Sequence, residues 1–341
     1  MLQSLLQQRC ALFLGFFSGL SGTLATDLSA VPGSEIFYYE DSEGAKRLHV
    51  RLGGCSKAGI QWVARDVQEK DIPFMEDHFF DERVMKNYGS GERREKNATR
   101  ERLQTIWIPR FDNGHPHGGM TLLKAYLEEG RVHSRQPIGH AVAGGGDGPG
   151  VSEVAYGLNP YLDVEGRQER LWGQGIISSV LGEIVESWAP EVRRIGLGVG
   201  LDERQHMNMI EAFRCFDNQT LAQLDATSSP KNIASWKAMD QRGFGAAQSR
   251  VCVTNGIFNF ENPDHPTFDG LESREKEQVF WQNFEADSLM ALFDSKRAPS
   301  PLSPGVRYQC YDPFGRLRTF SWDQKFNRIK YHFELKLNTS E

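Results

Sequence analysis

A glycine-rich turn lies between an expected strand and an expected amphipathic helix, and this arrangement constrains the fold more than any other feature of the sequence. The turn spans residues 170–175 with the sequence RLWGQG, and a strand is predicted before it over residues 153–158. From residue 176 to 188 the apolar side chains recur at helical spacing. A helix that begins at such a turn has backbone N–H groups without intrahelical partners, and its dipole adds partial positive charge there. The sequence therefore predicts a strand-turn-helix unit that offers an anion site.

Gly173 and Gly175 suit this turn to a phosphate, because the backbone can approach a bulky anion where no Cβ atom intervenes. Arg170 would add a charge-assisted contact to the same anion. Taken alone, a Gly-x-Gly turn before a helix more often only joins two elements. By itself, the turn is therefore compatible with two interpretations, an anion site or a simple connection between two elements.

The composition is that of an ordinary globular protein. The 341 residues are 39% hydrophobic and 25% charged, which allows one large domain with additions, and the net charge of −6 argues against a nucleic-acid partner. The five cysteines are scattered, odd in number and without a Cys-x-x-Cys pair, so we expect a reducing compartment and no metal. His115 and His117 lie in a Gly/Pro loop and are expected to face solvent rather than bind a metal.

Residues 1–25 allow two interpretations. One basic residue, Arg9, precedes an uncharged stretch that resembles a signal peptide with a tolerable cleavage site after Ala25. The same stretch also fits an amphipathic or buried helix packed on the domain. It is too short for a stable membrane span, so we expect a cytoplasmic protein, or an exported one if the segment is a signal. The oligomeric state is left open.

Hydrophobic periodicity and turn residues predict strands that alternate with helices. Strands are expected over residues 36–39, 48–52, 60–67, 120–127, 138–142, 221–226, 248–254 and 329–337, with Gly53-Gly54 separating the second from the third and a hairpin of 306–310 with 317–321. Helices are expected over short stretches of 71–108 and over 205–216, 232–241 and 272–293, and Pro190 is expected to end the helix that begins at residue 176. The core is therefore predicted to be a mixed α/β sheet.

Several separated motifs give the chain a family resemblance. The turn has the pattern Arg-x-x-Gly-x-Gly, and the motifs around it are residues 81–85 (DERVM) with Gly89 and Gly91, an aromatic-rich helix up to Trp107, Ile138-Gly139, residues 153–156 (EVAY), residues 232–235 (NIAS) and residues 242–244 (RGF). In this order they resemble the GCN5-related N-acetyltransferases, and in particular the branch that includes the ribosomal-protein N-terminal acetyltransferases. The resemblance covers roughly residues 60–254.

The resemblance implies an α/β (α+β) fold with a mixed, mostly antiparallel central sheet flanked by helices, carrying insertions and a C-terminal extension. It divides the chain into an N-terminal segment over residues 1–59, an acetyltransferase core over 60–254 with an insertion at 189–220, and an extension over 255–341. The last strand, over residues 330–337, is expected to join the core sheet. The loop over residues 159–169 is longer than is usual in the family.

The resemblance also implies acetyl-CoA as the cosubstrate, without a metal. The residues that would hold its pyrophosphate form the turn and the start of the helix: Arg170, Leu171, Trp172, Gly173, Gln174, Gly175 and Ile176. Asn232 would bind the pantetheine arm, although it also fits the N-cap of the helix that follows. A backbone N–H at Leu158 would bind the acetyl carbonyl, where negative charge develops during the reaction.

Acetyl transfer to an amine needs a base for the amine proton and an acid for the CoA thiolate. By the resemblance Glu153 is the candidate base and Ser235 the candidate acid, with Tyr156 as a further donor. Each has a structural alternative. Glu153 could bind a cationic substrate without moving a proton. Ser235 could be an ordinary residue of a first helical turn, and Tyr156 could form part of the wall of the core.

We therefore expect an N-acetyltransferase that moves acetyl from acetyl-CoA by direct attack of a primary amine. The amine is a protein N-terminus or lysine, or a small polyamine or aminoglycoside-like molecule. The alternative is a non-catalytic acyl-CoA-binding or protein-interaction module on the same fold. A dinucleotide-binding dehydrogenase is disfavoured because the turn lacks a third glycine.

Overall fold

The computed structural model describes residues 35–40, 46–128, 131–228, 232–245, 308–311, 317–323 and 328–335. The strands are β1 (Glu35–Glu40), β2 (Lys46–Cys55), β3 (Gln61–Asp66), β4 (Gly118–Glu128), β5 (Arg131–Gly145), β6 (Val151–Leu158), β7 (Tyr161–Val164), β8 (Arg167–Arg170), β9 (Gln223–Ser228), β10 (Tyr308–Tyr311), β11 (Leu317–Asp323) and β12 (Arg328–Glu334). The α-helices are α1 (Ile72–Phe80), α2 (Glu82–Met85), α3 (Lys96–Arg102), α4 (Ile108–Asp112), α5 (Ile176–Glu183), α6 (Ala189–Gly196), α7 (Glu203–Ala212) and α8 (Ile233–Gln241).

Ten of the strands in these described ranges form one sheet, in the spatial order β1-β2-β3-β4-β5-β6-β9-β12-β11-β10, and β7 pairs with β8 in a separate hairpin. Neighbouring strands of the sheet are antiparallel except β6 and β9, which run parallel. The expected fold class, a mixed and mostly antiparallel central sheet flanked by helices, is confirmed. The C-terminal strand β12 lies directly beside β9.

Two hydrophobic layers hold the helices against the sheet, because alternate residues of each strand point to opposite faces. On the face that we call the α5 face, Val180 of α5 belongs to the core that contains Trp62 and Val154. On the opposite face, the α1 face, Phe79 of α1 packs with Val142 of β5. Burial of each large apolar side chain in these layers contributes about 1.5–3 kcal/mol.

Each of the two long helical segments contains a π-helical turn followed by a proline. α3 continues through Leu103–Trp107 into α4, and α5 continues through Ile184–Trp188 into α6. Pro109 and Pro190 lie in the first turn of the segment that follows. Proline has no N–H and its ring collides with the carbonyl four residues earlier, and the wider π turn relieves this conflict. The prediction that the helix ends at Pro190 is therefore wrong.

Two further local predictions are wrong. Gly53-Gly54 lies inside β2 rather than between two strands. Glycine is needed at position 54 for packing rather than for a turn, because a Cβ atom there would lie 2.8 Å from Cζ2 of the buried Trp62. The expected loop over residues 159–169 contains the β7–β8 hairpin. Its turn uses Glu165 and Gly166 with φ of 53° and 78°, the left-handed conformations of a tight hairpin turn.

Some of the other helices and strands predicted from the sequence lie within the described residues, and the rest lie outside them. The predicted helix over residues 205–216 corresponds to α7, which begins and ends slightly earlier, and the predicted hairpin near the C-terminus corresponds to β10 paired with β11. The predicted strand over 248–254, the helix over 272–293 and the segment 1–34 lie outside the described residues. None of the helices in the described part of the chain is both long and apolar enough to cross a bilayer.

Candidate active site

The only parallel strand pair within the described residues opens into a gap. β6 and β9 pair from Val151–Gln223 to Val154–Ala226, and the pairing stops there although β6 runs on to Leu158 and β9 to Ser228. We call the space between the diverging ends the β6–β9 gap. It exposes the edge of a strand inside the sheet, where backbone groups lack the neighbour that a ladder normally provides.

The backbone of β6 directs hydrogen-bond donors into this gap. The N–H of Asn159 donates to the carbonyl of Ile138 on the β5 side at 2.8 Å. Because N–H groups alternate between the two edges of a strand in an antiparallel pair, those of Tyr156 and Leu158 point to the other edge, toward β9. The carbonyl of Leu158 accepts a hydrogen bond from Nε1 of Trp172 at 2.8 Å. This contact brings the glycine-rich turn to the open end of the gap.

Two hydroxyl groups meet beside the gap. The Oη atom of Tyr156 on β6 lies 2.7 Å from Oγ of Ser235, which is 8% exposed in the first turn of α8. The side chain of Asn232 caps this helix, because its Oδ1 accepts the N–H of Ser235 at 3.3 Å. Burial raises the pKa of Tyr156, although the hydrogen bond to Ser235 opposes the rise. The phenol therefore stays protonated and can donate.

The N-terminus of α5 is open to an anion. Gly175 occupies the N-cap position with φ of 76°, and no side chain in the described residues caps the helix. The first intrahelical bond runs from the N–H of Ser179 to the carbonyl of Gly175, so the N–H groups just before it have no helical partner. Gly173 also has a positive φ, 83°, which a side chain would strain.

The turn is anchored on one side and carries cations on the other. Leu171 is fully buried and its N–H donates to the carbonyl of Pro160 at 2.9 Å, whereas Arg170 is exposed. Lys57, from the turn between β2 and β3, brings its Cβ and backbone nitrogen to 3.6 Å from the position of a Cβ atom on Gly175. The sequence analysis missed Lys57, because nothing in the local sequence indicates that this turn reaches α5.

Glu153 lies on the α1 face, at the closed end of the gap. Its side chain and that of Tyr156 point to opposite faces of β6, because three positions separate them; Glu153 lies directly opposite Asp225 in the parallel register. Burial raises the pKa of the Glu153 carboxyl above its usual range, Lys330 opposes the rise, and the carboxylates of Asp147, Asp323 and Asp225 add to it. The structure thus separates the candidate base from the two candidate acids.

A hydrogen-bonded chain continues from Asp225 along the α1 face. Oδ1 of Asp225 lies 2.6 Å from Nδ1 of His332 on β12, and Nε2 of His332 lies 2.9 Å from Oγ of Ser321 on β11. Asp225 and His332 are both almost completely buried. The order of the three groups is that of a Ser-His-Asp system. The sequence analysis missed it because Asp225 comes from a strand that is distant in the chain from those of Ser321 and His332.

A buried histidine pair lies beside the C-terminal end of β6, the end away from Glu153. Nδ1 of His78 lies 2.5 Å from Oδ1 of Asn159, and Nε2 of His78 lies 2.8 Å from Nδ1 of His140. A Cβ atom on Gly157 would lie 2.5 Å from the ring of His140, so only glycine fits above the pair. Burial lowers the pKa of His78 to about 4, and it lowers that of His140 well below its ordinary value.

Comparison with known proteins gives only distant structural similarity. No family model matches the sequence, and no curated protein matches it. Among solved structures, an acetyltransferase of the GNAT family from Bacillus anthracis is 15% identical with a TM-score of 0.32, over 56% of this chain and 82% of that chain. An aminoglycoside acetyltransferase in complex with coenzyme A is 14% identical with a TM-score of 0.31, over 53% and 83%. An acetyltransferase from Agrobacterium tumefaciens is 16% identical with a TM-score of 0.29, over 56% and 82%.

Proposed function

We propose that the protein is an acetyl-CoA-dependent N-acetyltransferase that acetylates a primary amine. The observation that supports this most strongly is the β6–β9 gap, which opens beside the uncapped N-terminus of α5. An extended ligand with an anionic end fits such a place, because strand-edge donors and helix N–H groups follow one another along it. The family motifs in the sequence point to the same cosubstrate.

The residues around the gap would divide the binding of acetyl-CoA among them. The N–H groups at the start of α5 would hold the pyrophosphate, with Lys57 and Arg170 supplying positive charge. The backbone N–H groups of Tyr156 and Leu158 would hold the arm and the acetyl carbonyl along β6. Asn232 already caps α8 through Oδ1, which leaves its amide N–H₂ for the pantetheine arm.

In the proposed reaction, one acyl transfer is accompanied by two proton transfers, one from the amine and one to the leaving thiolate. The amine nitrogen forms a bond to the acetyl carbon while the carbon–sulfur bond breaks. Glu153 accepts the proton that the amine loses, directly or through water, and its raised pKa makes it a stronger base. Tyr156, held by its hydrogen bond to Ser235, donates the proton that the leaving thiolate needs and regains one from solvent.

The proposed acceptor is a protein amine or a small polyamine or aminoglycoside-like amine. Acetylation assays on a panel of such amines identify which of them is the substrate. The negative net charge suits a cationic acceptor. A cytoplasmic location and the lack of a nucleic-acid partner remain predictions from composition. The non-catalytic alternative, an acyl-CoA-binding or interaction module, would keep the binding residues without turnover.

CoA binding tests the proposal directly. Lys57→Gln and Arg170→Gln are each expected to weaken CoA affinity about tenfold in calorimetric titration, since a charge-assisted contact contributes about 1.4 kcal/mol or more. Arg167→Gln is the matched control, because Arg167 is exposed on the same hairpin but lies outside the turn. Wild-type protein that neither binds CoA nor carries it in native mass spectrometry would contradict the proposal. Binding without acetylation of any amine would favour the non-catalytic module.

A second candidate function, acyl transfer to water through Ser321, is supported by the Asp225–His332–Ser321 chain. Ser321 lies on β11, two strands beyond β9, which places it away from the gap. Ser321→Ala separates the two functions. Amine acetylation that is unchanged in this variant supports transfer at the gap, whereas loss of esterase or thioesterase turnover in it would support the hydrolytic reaction.

A further inference from the structure

Three metal-binding side chains meet outside the β6–β9 gap. His115 and His117 belong to the loop that leads into β4, and Cys215 follows α7. One potential ligand atom from each lies within 4.8 Å of the other two. The two imidazole rings have centroids 5.7 Å apart and planes inclined by 70°. The cluster therefore has the composition and the convergence of a three-ligand metal site.

Hydrogen bonds orient two of these groups as metal ligands are usually oriented. Nδ1 of His115 lies 3.3 Å from the carbonyl of Ala212, and a proton on Nδ1 leaves the lone pair of Nε2 for a metal. Ligating histidines commonly donate their second nitrogen to such a carbonyl. The backbone N–H of His117 donates a hydrogen bond to the thiol of Cys215.

His117 supplies an independent indication of a ligand. The residue is 8% exposed, and its Nδ1 atom has no hydrogen-bond partner within the described part of the chain. A buried polar nitrogen without a partner destabilises the folded state by about 1–3 kcal/mol. His115 and Cys215 are only partly buried, which leaves a path for an ion from solvent.

We propose that His115, His117 and Cys215 bind one zinc ion. Two imidazoles and a thiolate are donors that Zn²⁺ prefers, and three protein ligands leave a fourth tetrahedral position for water. Zinc would bind the neutral lone pair of His117 and the deprotonated thiol of Cys215, releasing the thiol proton. Burial raises the pKa of the Cys215 thiol to about 12, and the charge of Arg110 opposes this rise only in part, so zinc must displace the thiol proton to bind.

The position of the site assigns it a role in holding two parts of the chain together. Gly118, the residue after the histidine loop, pairs with Ala143 at the far end of β5. Phe216, the residue after Cys215, accepts the N–H of Gly150 just before β6 begins. The zinc would therefore tie the region of α7 to the start of the central strands, at the end of β6 opposite Leu158. Its loss would loosen that region without removing a residue of the gap.

Metal analysis of the full chain tests this proposal. Protein prepared without a histidine tag and stripped with a chelator is expected to take up one Zn²⁺ per chain and to show a higher Tm with Zn²⁺. Co²⁺ as a probe should give a thiolate-to-cobalt charge-transfer band. Cys215→Ser and His117→Gln should weaken Zn²⁺ binding more than about a hundredfold, beyond the effect of losing an outer partner. Cys55→Ser is the matched control, since Cys55 is an exposed free cysteine in β2.

Misfolding is separated from ligand loss by His115→Gln, which changes a half-exposed residue and should leave the circular dichroism spectrum of the zinc-free protein unchanged. Loss of binding in this variant, with binding retained in Cys55→Ser, supports the site. Zn²⁺ uptake that persists in both Cys215→Ser and His115→Gln, or no uptake by the wild-type chain, overturns it.

Discussion

The surroundings of Glu153 change the acidity of the carboxyl that we propose as the base. Its carboxyl is partly buried on the α1 face among Asp147, Asp225 and Asp323, and the attraction of Lys330 only partly offsets the resulting rise in pKa. A carboxylate with a raised pKa is a stronger base. Its protonation should therefore be visible in the pH dependence of the reaction.

The acetylation rate is expected to rise with pH through the raised pKa of Glu153, because only the ionised carboxylate accepts the amine proton. Glu153→Gln should remove this rise and lower kcat/KM by about 10²–10⁴-fold, while CoA affinity stays near that of the wild type. Rates measured across acidic to neutral pH test this, with the exposed Glu92→Gln as the control. A Glu153→Gln enzyme that keeps both its rate and its acidic limb would show that another group is the base.

Tyr156 and Ser235 give a second prediction about single residues. Tyr156→Phe removes the phenol that lies 2.7 Å from Oγ of Ser235, so kcat should fall by about 10²-fold if the phenol protonates the thiolate. The free energy of unfolding should fall by only about 0.5–1.5 kcal/mol, the usual contribution of one hydrogen bond. Steady-state kinetics and denaturant unfolding distinguish the two effects. A variant that loses stability but not kcat would limit Tyr156 to a structural role.

At the scale of elements, the packing of the π-helical turn on β4 depends on one glycine. A Cβ atom on Gly119 would lie 1.9 Å from Cε3 of Trp107, the last residue of the π turn that leads into α4. Trp107 is almost completely buried beside Phe79. The ring therefore occupies the space that any side chain at position 119 would need.

Gly119→Ala is expected to destabilise the protein by about 1–3 kcal/mol or more, because the tryptophan must leave its position or the strand must shift. Gly145→Ala is the control, since a Cβ atom at that position in β5 would have no neighbour within 4 Å. Urea unfolding of the two variants gives the comparison. Equal stability of both would mean that Trp107 does not pack tightly on β4.

At the scale of the whole molecule, buried neutral histidines make stability depend on pH. The pKa of His78 falls to about 4 in the folded protein, against an ordinary value of 6.5, because the ring is buried; burial lowers the pKa of His140 as well. Above the ordinary value, both rings are neutral in the folded and the unfolded chain. Below it, the unfolded chain binds protons that the folded chain does not.

The free energy of unfolding should therefore fall as the pH drops from about 6.5 toward 4, by up to about 1.4 kcal/mol per pH unit for each such ring. His78→Asn, which cannot titrate, should have a shallower dependence in this range even if it is less stable at neutral pH. Urea midpoints across the range test the slope. A slope in the variant as steep as that of the wild type would assign the acid sensitivity to other groups.

The sequence predicted β6, α8 and the start of α5 well, because each depends on hydrophobic spacing and end signals within a short stretch of chain. Asn232 at the N-cap and Gly243 after the last turn of α8 are such signals. The approach of Lys57 to Gly175, and of Cys215 to His117, depends instead on how distant strands pair. No local pattern carries that information, so those residues emerged only from the fold.

The place of β12 beside β9 also has a consequence for synthesis of the protein. β9 ends at Ser228 and its antiparallel neighbour begins at Arg328, so residues 229–327 are translated between them. At about 5–20 residues per second this takes roughly 5–20 s. During that time one edge of β9 has no partner from β12, and an unpaired edge in a nascent chain invites wrong pairing. Chaperone contact during translation should therefore concentrate on this strand until β12 has left the ribosome.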